Sequence, residues 1–274
     1  MGVLGIPINS RIFTQNEPEG SIFLRPADWL PITQLVSDGD EKIVFLCAIF
    51  DQPTNVISFR ISGAITVDWG DGTATEDFAA GILASKNIDF LSVSPTTATS
   101  SGFRQVIVTI TPQSGQSLTS ADFSELPAIA TGIDDWLNPL LDIKISGSNI
   151  ASLNFNSTNR GCYELAIFDY IGSNSISSFA SFLENGNLQE IKSLDTTGVS
   201  DFSSFCQNNR ISKISLLDLS SMTDGRNFLQ GNNLSSAPLW NLSSMTSGTS
   251  FLRGNNLSSA PLWNLSSMTN GTDF

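Results

Sequence analysis

An unchanged internal repeat constrains this chain more than any other feature. The segment 231–246, GNNLSSAPLWNLSSMT, recurs without a substitution at 254–269, an offset of 23 residues. At the same offset, three apolar columns extend back through earlier units: Leu165, Leu188, Ile211, Leu234 and Leu257; Ile176, Val199, Met222, Met245 and Met268; Phe182, Phe205, Phe228, Phe251 and Phe274. A sustained period of about 20–29 residues is typical of a solenoid, in which neighbouring units bury one another's apolar faces.

The length of the unit restricts its secondary structure. A unit of 23 residues is too short for a pair of helices, which needs about 33 residues or more. Pro238 and Pro261 exclude a long helix at their positions. One short extended segment and a turn fit the length, with the three columns stacked inward at the strand spacing of about 4.8 Å. The sequence therefore predicts a leucine-rich-repeat-like solenoid over 145–274.

The repeats also carry a family resemblance. The segment 211–229, ISKISLLDLSSMTDGRNFL, resembles the BspA-like leucine-rich repeats of bacterial and phage surface proteins, with a shorter unit and Gly225 in place of a second Met. The resemblance implies the fold of 145–274 and little about a ligand. Because the sequence stops within a unit at 270–274, we expect either further repeats or a covering subunit, as in a homo-oligomer.

The first half of the chain is predicted to be a β-sandwich behind an irregular arm. Residues 1–20 show no period. From 21 to 120, apolar or alternating runs predict strands separated by turns, at 42–50, 56–61, 64–69, 88–93 and 103–111. The first run is almost entirely apolar, as in a central strand, and the second is expected beside it. Residues 121–144 are expected to connect the sandwich to the solenoid.

A second resemblance concerns this first half. Residues 64–73, AITVDWGDGT, resemble the strand-turn signature of polycystic-kidney-disease repeats, which are immunoglobulin-like domains. The resemblance implies an immunoglobulin-like sandwich for 21–120. A domain of this type followed by BspA-like repeats is similar to phage tail-fibre and virion proteins. The expected fold class is therefore mainly β, a sandwich followed by a solenoid of 23-residue units.

Composition excludes several function classes. With 13 basic and 26 acidic residues the net charge is −13, so no excess of cations is present to bind nucleic acid. The chain contains no histidine, which removes the commonest general base and zinc ligand. Cys47, Cys162 and Cys206 are widely spaced among apolar residues and predict buried free thiols. We expect no enzymatic activity and no cofactor. Without a run of about 18 apolar residues, we also expect no membrane insertion.

One acidic turn is a candidate calcium site. Asp68 and Asp71, with Asp77 nearby, offer carboxylates of the kind that calcium binds. The glycines between them favour instead a tight turn in which the carboxylates accept local N–H groups. We expect the turn, with calcium as the alternative.

A second acidic cluster is a candidate for glycoside hydrolysis. Glu125 with Asp134 and Asp135 provides carboxylates of the type used by glycosidases. The neighbouring prolines place these residues in the expected connection, so a linker role is favoured.

Two tryptophans of the repeats have two interpretations. Trp240 and Trp263, each followed by an amide in Asn241 and Asn264, can form an exposed platform for carbohydrate. Their equivalents in earlier units are leucines, which favours an inward column instead.

The leading functional hypothesis is a non-enzymatic virion protein, such as a phage tail fibre. The N-terminal region would contact other virion proteins, and the repeats would contact a host-surface receptor or glycan. A bacterial cell-surface adhesin is the alternative, although the first residues lack an export signal. A carbohydrate-active enzyme is a third hypothesis and would have to work with Asp and Glu alone.

Overall fold

The computed structural model describes residues 23–125, 127, 136–155, 162 and 164–274, so the expected arm 1–20 lies outside the described residues. The described residues are mainly β, as the sequence predicts, with 28% strand and 4% helix. The helical residues of the described ranges are short 3-10 turns at Thr33–Leu35, Phe90–Ser92 and Pro95–Thr97. The strands are β1 (Lys42–Ile49), β2 (Asn55–Ile61), β3 (Ile65–Asp68), β4 (Glu76–Phe78), β5 (Leu83–Asn87), β6 (Arg104–Pro112), β7 (Ser120–Asp122), β8 (Trp136–Leu137), β9 (Leu140–Ser146), β10 (Ser152–Asn154), β11 (Ile167–Ile171), β12 (Glu190–Ser193) and β13 (Lys213–Ile214).

The strands form two mixed sheets. The larger sheet has the order β13-β12-β11-β9-β1-β6-β3-β4, and the smaller has the order β10-β7-β2-β5, with β8 also paired to β2. In the larger sheet, β1, β6, β3 and β4 are antiparallel neighbours. Strands β9, β11, β12 and β13 run parallel to one another. The two halves meet where β9 pairs antiparallel with β1.

Strand β1 is apolar almost throughout because both of its faces are buried. Phe45 and Cys47 belong to the main core cluster, whereas Val44 and Leu46 belong to a second cluster on the opposite face. This division follows from the alternation of side chains along a strand. The segment 23–36 contributes to the second cluster and covers that face. A strand covered on both sides reads as a continuous apolar run, which confirms the prediction of a central strand here.

The two sheets pack on each other through an aromatic cluster. Phe45 of the larger sheet contacts Phe59 and Phe123 edge-to-face, with ring centroids 5.9 and 5.6 Å apart. Phe59 also contacts Trp69 at 5.6 Å. All of these rings are buried, and each aromatic pair contributes about 0.5–1.5 kcal/mol beyond the burial of its area.

One pairing prediction and one strand prediction in this half are wrong. The run 56–61 forms β2, but β2 lies in the smaller sheet and does not pair with β1. The run 88–93 contains a 3-10 turn instead of a strand. Asp89 accepts the Leu91 N–H and caps this turn, and the Leu91 side chain is 76% exposed. Its apolar character therefore does not mark a core-facing strand position.

The range 121–144, expected to be a connection, contains part of the strand that joins the two halves. Strand β9 begins at Leu140 and lies beside β1 in the interior of the larger sheet. The main core cluster extends from Ile43 to Leu252. Backbone pairing and the core therefore continue from the first half of the chain into the repeats.

The 23-residue units stack in parallel register. Isolated parallel bridges join Ser178, Asp201, Asp224, Ser247 and Asn270 in succession. The rings of the Phe column also stack on their equivalents, with centroid distances of 5.7, 5.4, 5.0 and 5.0 Å for Phe182–Phe205, Phe205–Phe228, Phe228–Phe251 and Phe251–Phe274. Along the Phe column, each ring thus contacts the equivalent ring of the adjacent unit.

The side-chain volume in the Met column is balanced by the side-chain volume three residues later in the same unit. Units with Ile176 or Val199 in the Met column carry Phe179 or Phe202 three residues later, whereas units with Met222, Met245 or Met268 carry Gly225, Gly248 or Gly271. A Cβ atom at Gly225 would lie 2.9 Å from the sulfur of Met245 and 3.3 Å from that of Met222. The glycine leaves the space that the longer methionines fill, because a close-packed core has room for only one large side chain there.

Replacing Phe228 with Ala should lower the free energy of unfolding by about 3–5 kcal/mol. The ring is fully buried and stacks between Phe205 and Phe251. Ser236→Ala is the control, since Ser236 is exposed, and it should change stability by less than about 0.5 kcal/mol. Urea denaturation of the two variants measures both costs. Equal costs would contradict the assignment of the Phe column to the core.

Gly225→Ala should cost about 1–3 kcal/mol, because the added Cβ overlaps the Met245 sulfur. Met245→Val in the same chain removes that sulfur, so the double variant should be more stable than the summed single costs imply. A double-mutant cycle by urea denaturation measures this coupling. Additive costs would show that the glycine and the methionine do not share one space.

Candidate binding face of the repeats

Trp240, expected either in the core or on a ligand platform, lies in the core. Its side chain is 2% exposed. The ring meets Phe228 at 5.6 Å and Phe251 at 6.3 Å edge-on, and it stacks nearly parallel to Trp263 at 6.2 Å. A ring enclosed in this way has no free face for a carbohydrate.

Trp263 is partly buried beside Trp240. Its indole Nε1–H donates to the carbonyl oxygen of Pro238 at 3.1 Å. The ring also lies 6.1 Å from Phe251. These contacts tie Trp263 to the preceding unit and give it a packing role.

Asn241 and Asn264 lie at the surface, where each closes a turn. Asn241 Oδ1 accepts the backbone N–H of Ser243 at 3.2 Å and its hydroxyl at 2.8 Å. Asn264 Oδ1 accepts the N–H of Ser266 at 3.1 Å. The aspartates at the same position of two earlier units make the same bond. The structure therefore separates each tryptophan from its asparagine, since Trp packs inward and Asn faces solvent.

The structure exposes a column of leucines that sequence reasoning missed. Leu216, Leu239 and Leu262 stand at the 23-residue offset and are 72%, 68% and 98% exposed; we call them the leucine ridge. Alternation along the segment is the signal that could have found them. Because Trp240 points inward, its neighbours Leu239 and Asn241 point outward.

The surface around the last two ridge leucines, Leu239 and Leu262, carries little charge. In residues 227–274 the charged side chains are Arg253 and Asp273, and these two form an ion pair at 3.4 Å. The net charge of −13 therefore arises from residues 1–226. Prolines, hydroxyls and amides flank the last two ridge leucines. Leu239 and Leu262 therefore lie on a neutral part of an acidic chain, whereas the unit of Leu216 carries Lys213 and Asp218.

The candidate calcium residues form a hydrogen-bonded turn. Asp68 Oδ1 accepts the N–H of Gly70 at 2.9 Å, and Asp71 Oδ1 accepts the N–H of Thr73 at 3.0 Å. The Lys86 ammonium lies 3.1 Å from Asp71 Oδ2. Although burial opposes ionisation, the hydrogen bonds from Thr73 and the charge of Lys86 lower the pKa of Asp71 below its ordinary value. A protein cation thus already neutralises the carboxylate that calcium would need.

The candidate glycosidase residues are only partly within the described structure. Glu125 makes a two-pronged ion pair with the Arg60 guanidinium. This pairing lowers the pKa of Glu125, which keeps the carboxyl group ionised. A general acid needs the opposite shift. Asp134 and Asp135 lie outside the described residues.

The thiols and the remaining acidic residues do not assemble a metal centre in the described ranges. Cys47, Cys162 and Cys206 are free and buried, and burial raises the pKa of each thiol. Asp77 accepts the Thr66 hydroxyl at 2.6 Å. Within those ranges, three or more Cys, Asp or Glu side chains do not come together as metal ligands.

Comparisons with known protein families, with curated proteins and with solved structures find no match. Among the described residues, no helix has the length and apolar character to cross a membrane. A functional proposal for this chain therefore rests on its own surface and chemistry.

Asp71→Asn should lower the free energy of unfolding at pH 7 by about 1 kcal/mol, because Asn keeps the turn but loses the charge pair with Lys86. Since the pKa of Asp71 is lowered in the folded state, its contribution is present above the ordinary carboxyl pKa and is lost as pH falls through the lowered value. Urea denaturation from pH 7 to pH 3 should show the two proteins converging.

Thermal melting tests the calcium alternative. Wild-type protein should melt at the same temperature in millimolar calcium and in chelator. A rise of about 2–4 °C with calcium, which corresponds to about 1 kcal/mol in a domain of this size, would support a cation site at Asp68 and Asp71 instead.

Proposed function

We propose that this chain is a non-enzymatic adhesion protein of a virion, such as a tail-fibre or tail-associated protein, whose repeats contact the host surface. The leucine ridge carries the proposal. Leu216, Leu239 and Leu262 are large apolar side chains left in solvent at a regular interval, and exposed apolar surface of this kind is typical of an interaction site.

The proposal includes the finer fold assignment. We infer that β1 to β7 form an immunoglobulin-like sandwich and that the units from β11 onward form a leucine-rich-repeat-like solenoid. The aromatic packing between the sheets supports the first part. The parallel bridges at 23-residue intervals support the second. A rigid stack of this type holds the leucine ridge straight along one surface.

The neutrality of the last two units indicates the kind of partner. With Arg253 and Asp273 paired, the last units offer no net charge to attract or repel an ion. Binding there depends on apolar contact and on hydrogen bonds from amides and hydroxyls. A neutral glycan or an uncharged protein surface fits this chemistry better than nucleic acid or an acidic polymer does.

The binding free energy expected from one leucine ridge favours a protein that is present in many copies. Full burial of one leucine contributes about 1.5–3 kcal/mol, so three leucines contribute about 5–9 kcal/mol. Association costs about 4–15 kcal/mol in lost freedom of motion. One ridge alone therefore binds weakly, whereas linked copies gain affinity through their high effective concentration. A virion that carries several copies supplies this arrangement.

Replacing all three ridge leucines with Ser should reduce attachment to host cells by about tenfold or more, which corresponds to a loss of about 1.4 kcal/mol. The matched control is Ser236→Ala with Ser259→Ala, two exposed positions of the same units. Labelled protein coupled to beads, to restore multivalency, is sedimented with cells of the bacterium whose lysates yield the particle. Equal attachment by the ridge variant and the control would contradict the proposal.

The place where the protein is found, on purified particles or on the cell envelope, distinguishes a virion protein from a bacterial adhesin. A gold-labelled antibody against the repeats should label purified particles. Label confined to the envelope of cells that release no particles would favour the adhesin.

A further inference from the structure

A column of buried or partly buried asparagines joins successive units of the repeats. The side-chain oxygens of Asn209, Asn232 and Asn255 accept the backbone N–H groups of residues 188, 211 and 234 at 3.0, 2.9 and 3.0 Å. Their amide nitrogens donate to the carbonyl oxygens of residues 183, 206 and 229 at 2.6, 2.9 and 2.8 Å. Each asparagine thus satisfies two backbone groups of the preceding unit.

This column is interrupted at Gly186. Residue 186 stands 23 positions before Asn209, so its unit has no side-chain amide at the equivalent place. A small cavity lies here, of about 10 Å³ for the centre of a water-sized sphere. Its lining combines the apolar Phe155 and Leu165 with Asn187 and Asn209.

One polar atom at the cavity lacks a hydrogen-bond partner among the described residues. The Asn187 side chain lines the cavity and is 2% exposed, and its Oδ1 atom accepts no hydrogen bond from that part of the chain. Its Nδ2 atom donates to Glu164 Oε2 at 3.2 Å. That bond fixes the orientation of the amide, because a flipped Asn187 would place two oxygens together. An unsatisfied buried acceptor costs about 1–3 kcal/mol.

We propose that one water molecule binds in this cavity and donates a hydrogen bond to Asn187 Oδ1. The occupant must be a hydrogen-bond donor, because the unsatisfied atom is an acceptor. It must also be about the size of water, since a cavity of roughly 10–15 Å³ on this measure holds one water molecule. The water fills the space beside Gly186, where the later units carry an Asn side chain.

The first test is a high-resolution crystal structure of the wild-type chain. It should show a water peak about 2.7–3.2 Å from Asn187 Oδ1. An empty cavity, or a peak bonded elsewhere, would overturn the proposal.

The second test compares two substitutions at the same position. Gly186→Asn supplies the amide, whereas Gly186→Ala supplies the same Cβ without it. In both variants the added Cβ would lie 2.9 Å from Asn209 Oδ1. The Asn variant should melt at least about 2–4 °C above the Ala variant, and its crystal structure should lack the water. A lower or equal melting temperature, or a water that persists beside the new amide, would contradict the proposal. If neither variant folds, the wild-type crystal structure alone decides.

Discussion

Strand β9 has β1 hydrogen-bonded along one edge and β11 along the other. Phe45 of β1 and Phe168 of β11 are both in register with Ile143 of β9. A stack of parallel units begins with an open edge, which exposes unpaired backbone groups unless another strand covers it. Here β1 covers that edge. Register at β9 also decides which residues of the first parallel strands face the core, since a shift of one residue would turn every side chain to the opposite face.

Beyond this junction, the repeats are held by contacts between equivalent residues. The Phe rings stack along one column. Where the Met column carries methionine, glycine three residues later leaves room for it, so that the core stays filled. Because these contacts need only the adjacent unit, the outward positions are free to change. They change from charged residues, such as Lys192 and Asp195, to the neutral surface around the leucine ridge. Under the proposed function, the inner columns maintain the stack while the outer ones form the binding face.

Much of the architecture could be predicted from sequence, and the failures have physical causes. Periodic apolar runs predicted β1 and β6, and the prediction of a mainly β chain is confirmed. Polarity alone would place the asparagines at 209, 232 and 255 in solvent. They are held inward by backbone groups of the preceding unit, which lie 21 to 26 residues away in sequence. The leucine ridge is the converse case, since apolar character alone would place its residues inward.

The sequence by itself determined the 23-residue period, the identity of the apolar columns and the absence of histidine chemistry. These properties depend only on which residues occur and at what spacing. The tertiary structure alone decided that β2 lies in the smaller sheet, that Trp240 packs in the core and that Leu239 remains exposed. It also decided that Asn187 faces a cavity beside Gly186. Each of these outcomes depends on residues that are distant in sequence. Whether a side chain is buried depends on which of those residues pack around it in the folded chain.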